Sequence, residues 1–296
     1  MNKLIKFISC IILFAIPFIS TANQIKQLAF KKKMQQIESQ YGGRVGITVI
    51  DTSDNSNLNY HANDRFAYCS TFKFLVVGAI LNQNNNNPKL LTEQIHYSSN
   101  DLVNAYSPYT IANLKQGKPS MSVKALSQAA MYSDTTATNL LIKKLGGNDK
   151  IIQFAHSIGN IPFRLDRWEP NINTAIPGDN RDTSTPYAMA YSMQQIALGN
   201  VLNQMQKNYF QQWLKSNNTG DYRIRAAVPN NWVTGDKTGT GDYGTTNDVA
   251  VLWPPNHKPI IISIYYTQDK KDAKPNNKVI ELSAKAAIES LDITEI

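Results

Sequence analysis

Three short polar motifs in this sequence carry residue types that could perform nucleophilic chemistry. They are Ser-Thr-Phe-Lys at residues 70–73, Ser-Asp-Thr at 133–135 and Lys-Thr-Gly at 237–239. In the first motif the serine and the lysine are three positions apart, which places both side chains on one face of a helix. A serine hydroxyl needs a base before it attacks a carbonyl, and a lysine in a crowded cationic pocket becomes neutral enough to act as one. A serine at a helix N-terminus also has backbone N–H groups directed at the oxyanion that it creates.

The three motifs are informative because they occur together in one sequence and in this order. Taken alone, residues 70–73 are explained as well by a helix cap followed by a surface lysine, and Ser-Asp-Thr at 133–135 is also a common start of a helix. The third motif lies on a predicted strand, where lysine and threonine present a cation and a hydroxyl to an anionic substrate group. Its glycine removes a side chain, so that a ligand can pack against the backbone. The sequence therefore indicates a serine nucleophile beside an anion-binding strand.

Other functional signatures are weak or missing. Residues 239–244 fit the G-x-G-x-x-G dinucleotide pattern, but a strand pattern follows them where that fingerprint requires a helix. The four histidines are widely separated, and none has the spacing of a metal ligand. The G-x-S-x-G elbow of an α/β-hydrolase does not occur in the sequence. We therefore predict an enzyme without a metal and without a cofactor.

Charge and the N-terminal segment bear on partners and compartment. The formal charge is +8, and the basic residues are spread out without an aromatic-interleaved stripe, so a solvated basic surface is favoured over nucleic-acid binding. Residues 1–22 have the pattern of a secretory signal peptide, with two early lysines, an apolar stretch at 8–19 and a small-x-small cleavage site at 20–22. We expect an exported chain with no membrane anchor after cleavage. Its compartment is the periplasm, or the medium if the host has no outer membrane.

Cysteine usage argues against an internal disulfide in the exported chain. Cys10 lies in the segment that we expect to be removed, which leaves Cys69 alone. A lone cysteine is more often a small buried hydrophobe than a nucleophile, and no histidine lies near Cys69 in the sequence. The core must therefore stabilise the fold without a cross-link.

Strand and helix patterns separate the two ends of the chain from its middle. The ends contain alternating apolar segments typical of strands, whereas the pattern from about residue 70 to 214 is helical. Strands joined by short turns predict an antiparallel sheet. The predicted strands are Arg44–Asp51, Leu58–His61, Trp232–Lys237, Asp248–Trp253 and Ile260–Thr267, and the predicted terminal helices are Gln24–Tyr41 and Asn276–Leu291. We predict a mixed α and β fold: a five-stranded antiparallel sheet flanked by helices, from residues 23–66 and 215–296, with an inserted all-α domain at 67–214.

With these motifs the sequence resembles a class A serine β-lactamase over nearly the whole chain that follows the signal segment. RLDRWEPNIN at residues 164–173 and PGDNRDTSTP at 177–186 match the family's Ω-loop, and GDKTGTGDYGTTNDVAV at 235–251 matches a strand pair. The resemblance implies the fold described above, with an Ω-loop at 164–182 in the helical domain. It also implies a monomeric hydrolase that opens the β-lactam amide of penicillins and cephalosporins and so confers antibiotic resistance.

The resemblance implies roles for the residues at the matching positions. Ser70 attacks the β-lactam carbonyl, and its own backbone N–H and that of Thr240 form the oxyanion hole. Lys73 and Glu169, the latter through a water, activate Ser70, and which of them is the base stays open. Ser133 relays a proton to the lactam nitrogen, and Glu169 then activates the water that hydrolyses the ester. The residues expected to bind substrate are Tyr106, Thr135, Asn173, Arg223, Lys237, Thr238 and Thr240.

Several polar residues have a structural interpretation beside the catalytic one. Arg167 and Asp182 are expected to pair across the base of the Ω-loop, and Arg164 and Asp166 to form a second pair. The resemblance implies a cis peptide bond before Pro170. The aspartate of the second motif is expected to brace its loop through backbone hydrogen bonds rather than to contact substrate.

Two features depart from the family pattern. Thr135 stands where the family usually has asparagine, and its hydroxyl has one donor and two lone pairs on a shorter stem, so we expect a weaker enzyme on substrates with acylamino side chains. Arg223 and Thr240 match the class A carbapenemase subgroup, which usually joins a cysteine at the position of Cys69 to a second cysteine. Gly241 occupies the position of that second cysteine here. Carbapenem hydrolysis is therefore left open.

Two other functions share part of the constellation. A penicillin-binding D,D-peptidase has all three motifs but lacks a matching glutamate on an Ω-loop, so Glu169 argues against it. A non-catalytic β-lactam sensor stays acylated, and such sensors are normally tethered by an additional membrane segment, which the sequence after residue 22 does not show. Sustained turnover of a chromogenic cephalosporin in molar excess supports the hydrolase, whereas a single stoichiometric burst contradicts it.

Overall fold

The computed structural model describes residues 18–291 and 293, so the predicted signal segment lies largely outside the described residues. The strands in the described part are β1 Arg44–Asp51, β2 Asn57–Tyr60, β3 Phe66–Ala67, β4 Gln94–His96, β5 Ser120–Ser122, β6 Thr183–Ser184, β7 Val233–Thr240, β8 Thr246–Trp253 and β9 Ile260–Thr267. The α-helices are α1 Phe18–Tyr41, α2 Lys73–Gln83, α3 Pro108–Lys115, α4 Val123–Met131, α5 Thr135–Leu145, α6 Asn148–Ser157, α7 Pro186–Ala197, α8 Gln204–Lys215, α9 Ile224–Ala227 and α10 Asn277–Glu289. Among these helices none has both the length and the apolar character needed to cross a membrane.

Five strands form the main sheet in the order β2-β1-β9-β8-β7, and every neighbouring pair is antiparallel. The predicted five-stranded antiparallel sheet is therefore confirmed. All eight residues of β8 except the last are buried, as are seven of the eight in β9, because helices cover both faces of the sheet. The predicted bounds of β1 and β9 agree with the structure at both ends.

The sheet separates two hydrophobic cores. One core packs α1 and α10 against one face, with Phe30 and Val279 facing strand residues such as Val45 and Ile262. The other core joins the opposite face to the helical block through α7 and includes the sheet residue Tyr265. Mixed α and β architecture with a helical block is thus confirmed, while the domain boundaries at residues 66/67 and 214/215 stay a prediction.

Helix α2 is the central element of the helical block. Its first nine residues are buried, and α4, α5, α6, α7 and α8 all pack around it. Gly78 allows this close packing, because a β-carbon there would lie 2.8 Å from Cδ1 of Ile196. Because α2 is enclosed on all sides, it holds the residues at its N-terminal end, where the first motif lies, in a fixed position.

Four short strands were not anticipated from the sequence. Strand β3 pairs with β6, and β4 pairs with β5, in two-stranded ladders of two and three residues. Segments of this length cannot show an alternating pattern, so propensity alone does not reveal them. The β3–β6 ladder joins the segment just before the first motif to the residues just after the Ω-loop, so it sets the loop against the nucleophile segment.

Candidate active site

Ser70 lies in a 3₁₀ helix over residues 69–72 that leads directly into α2. Cys69, just before it, has a φ of +47°, in the left-handed region that non-glycine residues rarely adopt. The hydroxyl of Thr71 donates to the carbonyl oxygen of Tyr68 at 2.8 Å, which tightens this turn. The first motif thus adopts the predicted helix start, with Ser70 half-buried at its N-terminal end.

The side chain of Lys73 is fully buried and brings the motifs together. Its Nζ lies 3.0 Å from Oε1 of Glu169 and donates to the carbonyl oxygen of Ser133 at 3.0 Å. It also lies 3.4 Å from Oγ1 of Thr135, a long contact that keeps the shorter side chain within reach of the amine. The other carboxylate oxygen of Glu169 accepts from Nδ2 of Asn173 at 2.6 Å. The buried amine of Lys73 therefore lies in one polar cluster, formed with Glu169, Asn173, Thr135 and the backbone of Ser133.

The Ω-loop is held by ion pairs at its base. Oδ1 of Asp182 accepts from the backbone N–H groups of Asp166 and Arg167, and its Oδ2 pairs with Nε of Arg167 at 2.5 Å. Arg164 and Asp166 form a second pair at 2.6 Å. The predicted pairs and the predicted cis bond before Pro170 are confirmed. These contacts fix the loop without using the carboxylate that faces Lys73.

A side-chain amide of α5 supports the loop from the other side. Nδ2 of Asn139 donates to the carbonyl oxygen of Glu169 at 3.0 Å, and Nδ2 of Asn148 donates to that of Arg167 at 3.1 Å. The backbone of the loop is therefore tied to the helical block on both sides of its buried glutamate.

Asp134 has the structural role that the sequence suggested. It is the N-cap of α5, and its Oδ1 accepts from the backbone N–H of Ala137 at 2.8 Å. Its Oδ2 accepts from the backbone N–H groups of Tyr109 and Thr110, each at 2.9 Å. This fully buried carboxylate braces the turn so that Ser133, with a φ of +71°, faces the third motif.

Lys237 reaches across from β7 to the second motif. Its Nζ donates to Oγ of Ser133 at 2.5 Å and to the carbonyl oxygen of Thr238 at 2.9 Å. Burial, together with the nearby charge of Lys73, lowers the pKa of Lys237 to about 7. The buried carboxyl groups of Asp236 and Asp248 act in the opposite direction on this pKa. The amine is therefore close to balance between its charged and neutral forms at neutral pH.

Arg223 lies behind the third motif. Its guanidinium donates to the carbonyl oxygen of Gly239 at 2.9 Å, to that of Asn247 at 2.7 Å and to Oγ1 of Thr240 at 2.7 Å. Only 7% of the residue is exposed. The arginine therefore joins β7 to β8 at the end of the third motif and supplies positive charge next to Thr240.

These elements enclose a cleft of about 390 Å³. Eight of the residues singled out from the sequence line it, while Lys73, Glu169 and Lys237 lie buried beneath it. The lining residues are Ser70, Ala105, Tyr106, Ser133, Thr135, Asn173, Thr219, Arg223, Thr238, Gly239 and Thr240. Tyr106 is 59% exposed and forms part of the rim, as expected.

Sequence reasoning missed two of the lining residues, Ala105 and Thr219. Thr219 contacts the third motif directly. Its Oγ1 lies 2.6 Å from Oγ1 of Thr238, in the third motif. It belongs to the loop between α8 and α9, which has neither a periodic pattern nor a motif. Thr219 reaches the cleft because this loop packs against β7.

Gly239 is required by the approach of the nucleophile segment to β7. A β-carbon at this position would lie 2.6 Å from the carbonyl oxygen of Tyr68 and 3.1 Å from the backbone nitrogen of Ser70. We expect Gly239→Ala to lower kcat/KM by about 100-fold, because displacement of reacting groups by about 1 Å has an effect of that size. Steady-state kinetics measures this loss. Gly117→Ala is the control: its φ of +71° strains an alanine there, but nothing lies within 4 Å and the position is outside the cleft lining, so kcat/KM should stay unchanged.

Comparisons with known proteins place the chain in a family. The sequence profile described as the β-lactamase enzyme family matches residues 29–291. This chain belongs to the β-lactamase enzyme family. It is 46% identical over 264 residues to β-lactamase OXY-1 of Klebsiella oxytoca, with 89% of each chain covered. It is 45% identical over 276 residues to β-lactamase CTX-M-8 of Citrobacter amalonaticus, covering 93% of this chain and 92% of the relative.

Solved structures agree with the sequence relatives. The crystal structure of a β-lactamase from Desulfarculus baarsii has a TM-score of 0.87 and 45% identity, and the match covers 90% of this chain and 99% of that one. A β-lactamase from Burkholderia phymatum has a TM-score of 0.86 and 41% identity. The resemblance to class A β-lactamases stated from the motifs is confirmed, and the chain is a hydrolase of β-lactam amide bonds.

In this β-lactamase the one cysteine among the described residues is a buried thiol. Cys69 is fully buried, and burial raises its pKa well above the ordinary value, so it is not a thiolate nucleophile. A β-carbon on Gly241 would lie 2.7 Å from Sγ of Cys69 and 2.5 Å from the carbonyl oxygen of Asn173. The backbone of Gly241 therefore packs against both the thiol and the Ω-loop.

Proposed function

We propose that the chain hydrolyses penicillins and cephalosporins through an acyl-enzyme on Ser70. The observation that carries this proposal is the buried carboxylate of Glu169, held by Asn173 and 3.0 Å from Nζ of Lys73. A protein that only forms an acyl-enzyme needs a serine and a proton acceptor. Glu169 is a second base, fixed on the Ω-loop beside Lys73, and it allows water to hydrolyse the acyl-enzyme.

Acylation uses the cluster around Lys73. The proton of the Ser70 hydroxyl passes to this cluster as the oxygen attacks the β-lactam carbonyl, either to Lys73 directly or through a water to Glu169. The ion contact between the two groups lets a proton received by one be shared with the other. The backbone N–H groups of Ser70 and Thr240 stabilise the oxyanion that develops on the carbonyl oxygen.

Protonation of the departing nitrogen is assigned to Ser133. The charged amine of Lys237 has only donors, so Oγ of Ser133 accepts in their 2.5 Å contact. The proton of the Ser133 hydroxyl is therefore free to move to the lactam nitrogen as the C–N bond breaks. The positive charge of Lys237 also stabilises the negative charge that the oxygen acquires during the transfer.

Deacylation is assigned to Glu169 acting on a water. Its carboxylate takes one proton of the water while the oxygen attacks the ester carbonyl, and Ser70 leaves with a proton returned from the same cluster. The amide of Asn173 fixes one carboxylate oxygen of Glu169 at 2.6 Å, and the other carboxylate oxygen contacts Nζ of Lys73. The product is the ring-opened acid. The proton that the cluster took from Ser70 during acylation passes to Oγ of Ser133, so the enzyme returns to its starting protonation state.

The substrate carboxylate is assigned to the third motif. Lys237 supplies the charge, and the hydroxyls of Thr238 and Thr240 supply hydrogen bonds at the cleft wall. Arg223 orients the Thr240 hydroxyl by donating to it at 2.7 Å. The aromatic ring of Tyr106 at the rim covers the substrate from the solvent side.

Thr135 limits activity on substrates with acylamino side chains. Its hydroxyl retains a 3.4 Å contact with Lys73 but lacks the NH₂ group of an asparagine. We expect Thr135→Asn to raise kcat/KM for such substrates by about 3- to 10-fold, the value of one hydrogen bond. A β-lactam whose side chain is a free amine is the control, because it has no amide to accept that bond. A neutral or harmful effect on both substrates contradicts this role for Thr135.

Export and oligomeric state belong to the same proposal. The pattern of residues 1–22 supports secretion to the periplasm or the medium, and mass determination of the secreted protein tests cleavage after residue 22. We also propose a monomer, as the resemblance to the family implies. Gel filtration at assay concentration measures the state directly.

A chromogenic cephalosporin in large molar excess tests the proposed function. We expect sustained turnover of many equivalents per enzyme, with benzylpenicillin hydrolysed as well. A single stoichiometric burst contradicts the hydrolase. A carbapenem in the same assay separates turnover from a stable acyl-enzyme, and Arg223 beside Thr240 is the feature that makes this substrate class worth testing.

A further inference from the structure

A chain of hydrogen bonds runs from the buried side of β7 to the cleft. Arg225 pairs with Asp236, Nδ2 of Asn217 donates to Oδ2 of Asp236 at 2.9 Å, and Oδ1 of Asn217 lies 3.0 Å from Oγ1 of Thr219. The last link is the 2.6 Å contact between Oγ1 of Thr219 and Oγ1 of Thr238. It joins a buried ion pair to a hydroxyl that lines the cleft.

The directions of these hydrogen bonds follow from counting donors. The amide of Asn217 is oriented by two fixed groups: its Nδ2 faces the carbonyl oxygen of Asp236 at 3.2 Å, and its Oδ1 faces the backbone N–H of Thr219 at 3.3 Å. Oδ1 is therefore an acceptor, and the single proton of the Thr219 hydroxyl points to it. The Thr219 oxygen has no second proton, so Thr238 must donate in the 2.6 Å contact.

This assignment directs the Thr238 proton away from the cleft in the free enzyme. A carboxylate accepts hydrogen bonds only, so Thr238 must turn its proton toward the substrate in order to bind it. Its contact with Thr219 would then join two oxygens without a proton. The contact between Thr219 and Thr238 stays hydrogen-bonded if the Thr219 hydroxyl turns its proton from Asn217 to Thr238. Oδ1 of Asn217 then loses this hydroxyl as a donor but still accepts from the backbone N–H of Thr219.

We propose that Thr219 is a positioning residue for the substrate carboxylate, acting by this paired rotation of two hydroxyls. In the complex Thr219 donates to Thr238, and Thr238 donates to the carboxylate, so each bond polarises the next. The proposal rests on the proposed function, because it takes the third motif as the carboxylate site. On this proposal Thr219 affects binding of the substrate carboxylate only and does not affect the attack of Ser70 on the carbonyl.

The residues around this chain of hydrogen bonds are tightly packed, so the two hydroxyl groups can rotate while the surrounding heavy atoms stay in place. Asp236 is fully buried and Asn217 is 3% exposed. A β-carbon on Gly220 would lie 2.1 Å from Oδ2 of Asp236, so the loop that carries Thr219 packs directly on the carboxyl group. Rotation of a hydroxyl needs no displacement of heavy atoms in such a frame.

Thr219→Val tests the proposal, because valine keeps the volume and removes the hydroxyl. For a chromogenic cephalosporin we expect KM to rise by about 3- to 10-fold, with kcat within about twofold of the parent. For the methyl ester of the same cephalosporin, which has no carboxylate, KM should stay within about twofold. Thr219→Ser restores the hydroxyl and should restore KM. Thr219→Ala gives the same comparison if the valine variant does not fold.

The outcomes separate this inference from the proposed function. Equal losses on the acid and the ester mean that Thr219 is only structural, and a fall in KM for the acid means that Thr219 competes with the substrate for the Thr238 proton. Either result overturns the proposal. If the parent enzyme itself does not discriminate the acid from the ester, the carboxylate site at the third motif is wrong. If the parent shows no turnover, the proposed function fails first.

Discussion

Glu169→Gln is expected to convert the enzyme into one that is acylated and stays acylated. The glutamine keeps the size of the side chain and its contact with Asn173, but it has no carboxylate to take a proton from water. Loss of a general base lowers the rate by about 10²- to 10⁴-fold, so the deacylation step should become that much slower. Mass spectrometry after mixing with a penicillin should show a stable adduct on every molecule, and steady-state turnover should fall by the same factor.

The control for this variant is a carboxylate of the same loop that does not contact Lys73. Asp179 pairs with Arg181 at 2.7 Å on the outer part of the loop. Asp179→Asn should leave turnover near the parental value. If Glu169→Gln retains parental turnover, the assignment of Glu169 to deacylation is wrong. If it is not acylated at all, Glu169 is needed for the first step, and Lys73 alone does not activate Ser70.

Local signals predicted the strands and the helix face shared by Ser70 and Lys73, whereas the convergence of the three motifs was implied by the resemblance to the family. Strands β1 and β9 alternate or concentrate β-branched residues over eight positions, and their bounds were obtained correctly. Ser70 and Lys73 share a helix face through their spacing. The Ω-loop pairs followed from charged residues at matching positions, and Asp134 followed from its preference for caps.

Periodicity alone did not predict the end of β7, because its last residues are held by partners distant in sequence. The apolar pattern indicated a strand ending at Lys237, and the third motif was placed on a strand by its residue types and by the family match; β7 continues to Thr240, which pairs with Thr246. Glycine and threonine at these positions give no alternating apolar pattern. Backbone pairing with β8 and the guanidinium of Arg223 hold them instead. The segment that faces the substrate is thus the part of the strand with the weakest sequence signal.

Electrostatic properties were also outside the reach of the sequence. The motifs indicated that two lysines are present, but the low pKa of Lys237 comes from its complete burial and from the approach of Lys73. Both causes depend on how β7 packs against the 3₁₀ helix before α2 and how Lys237 meets the second motif. The same holds for the hydroxyl pair at the end of the third motif, since Thr219 has no recognisable pattern of its own.

Lys237 is expected to make substrate affinity depend on pH near neutrality. Its pKa is about 7 in the free enzyme, so the amine is charged below that pH and neutral above it. A carboxylate binds the charged form, because the neutral amine contributes no ion pair. Binding strength is therefore fully present below pH 7 and is lost as pH rises. We expect KM for a cephalosporin to rise above the pKa by up to about tenfold per pH unit, the limit set by linkage to one proton, and to level off where the hydroxyls of Thr238 and Thr240 alone hold the carboxylate.

Two controls assign this slope to the ion pair between Lys237 and the carboxylate. The methyl ester of the same cephalosporin has no charge to pair, so its KM should stay flat between pH 6 and 9. Lys237→Arg carries a guanidinium that remains charged over the whole range, so its KM should be flat even if the longer side chain weakens binding. Equal slopes for acid and ester, or an unchanged slope in the arginine variant, would assign the titration to another group.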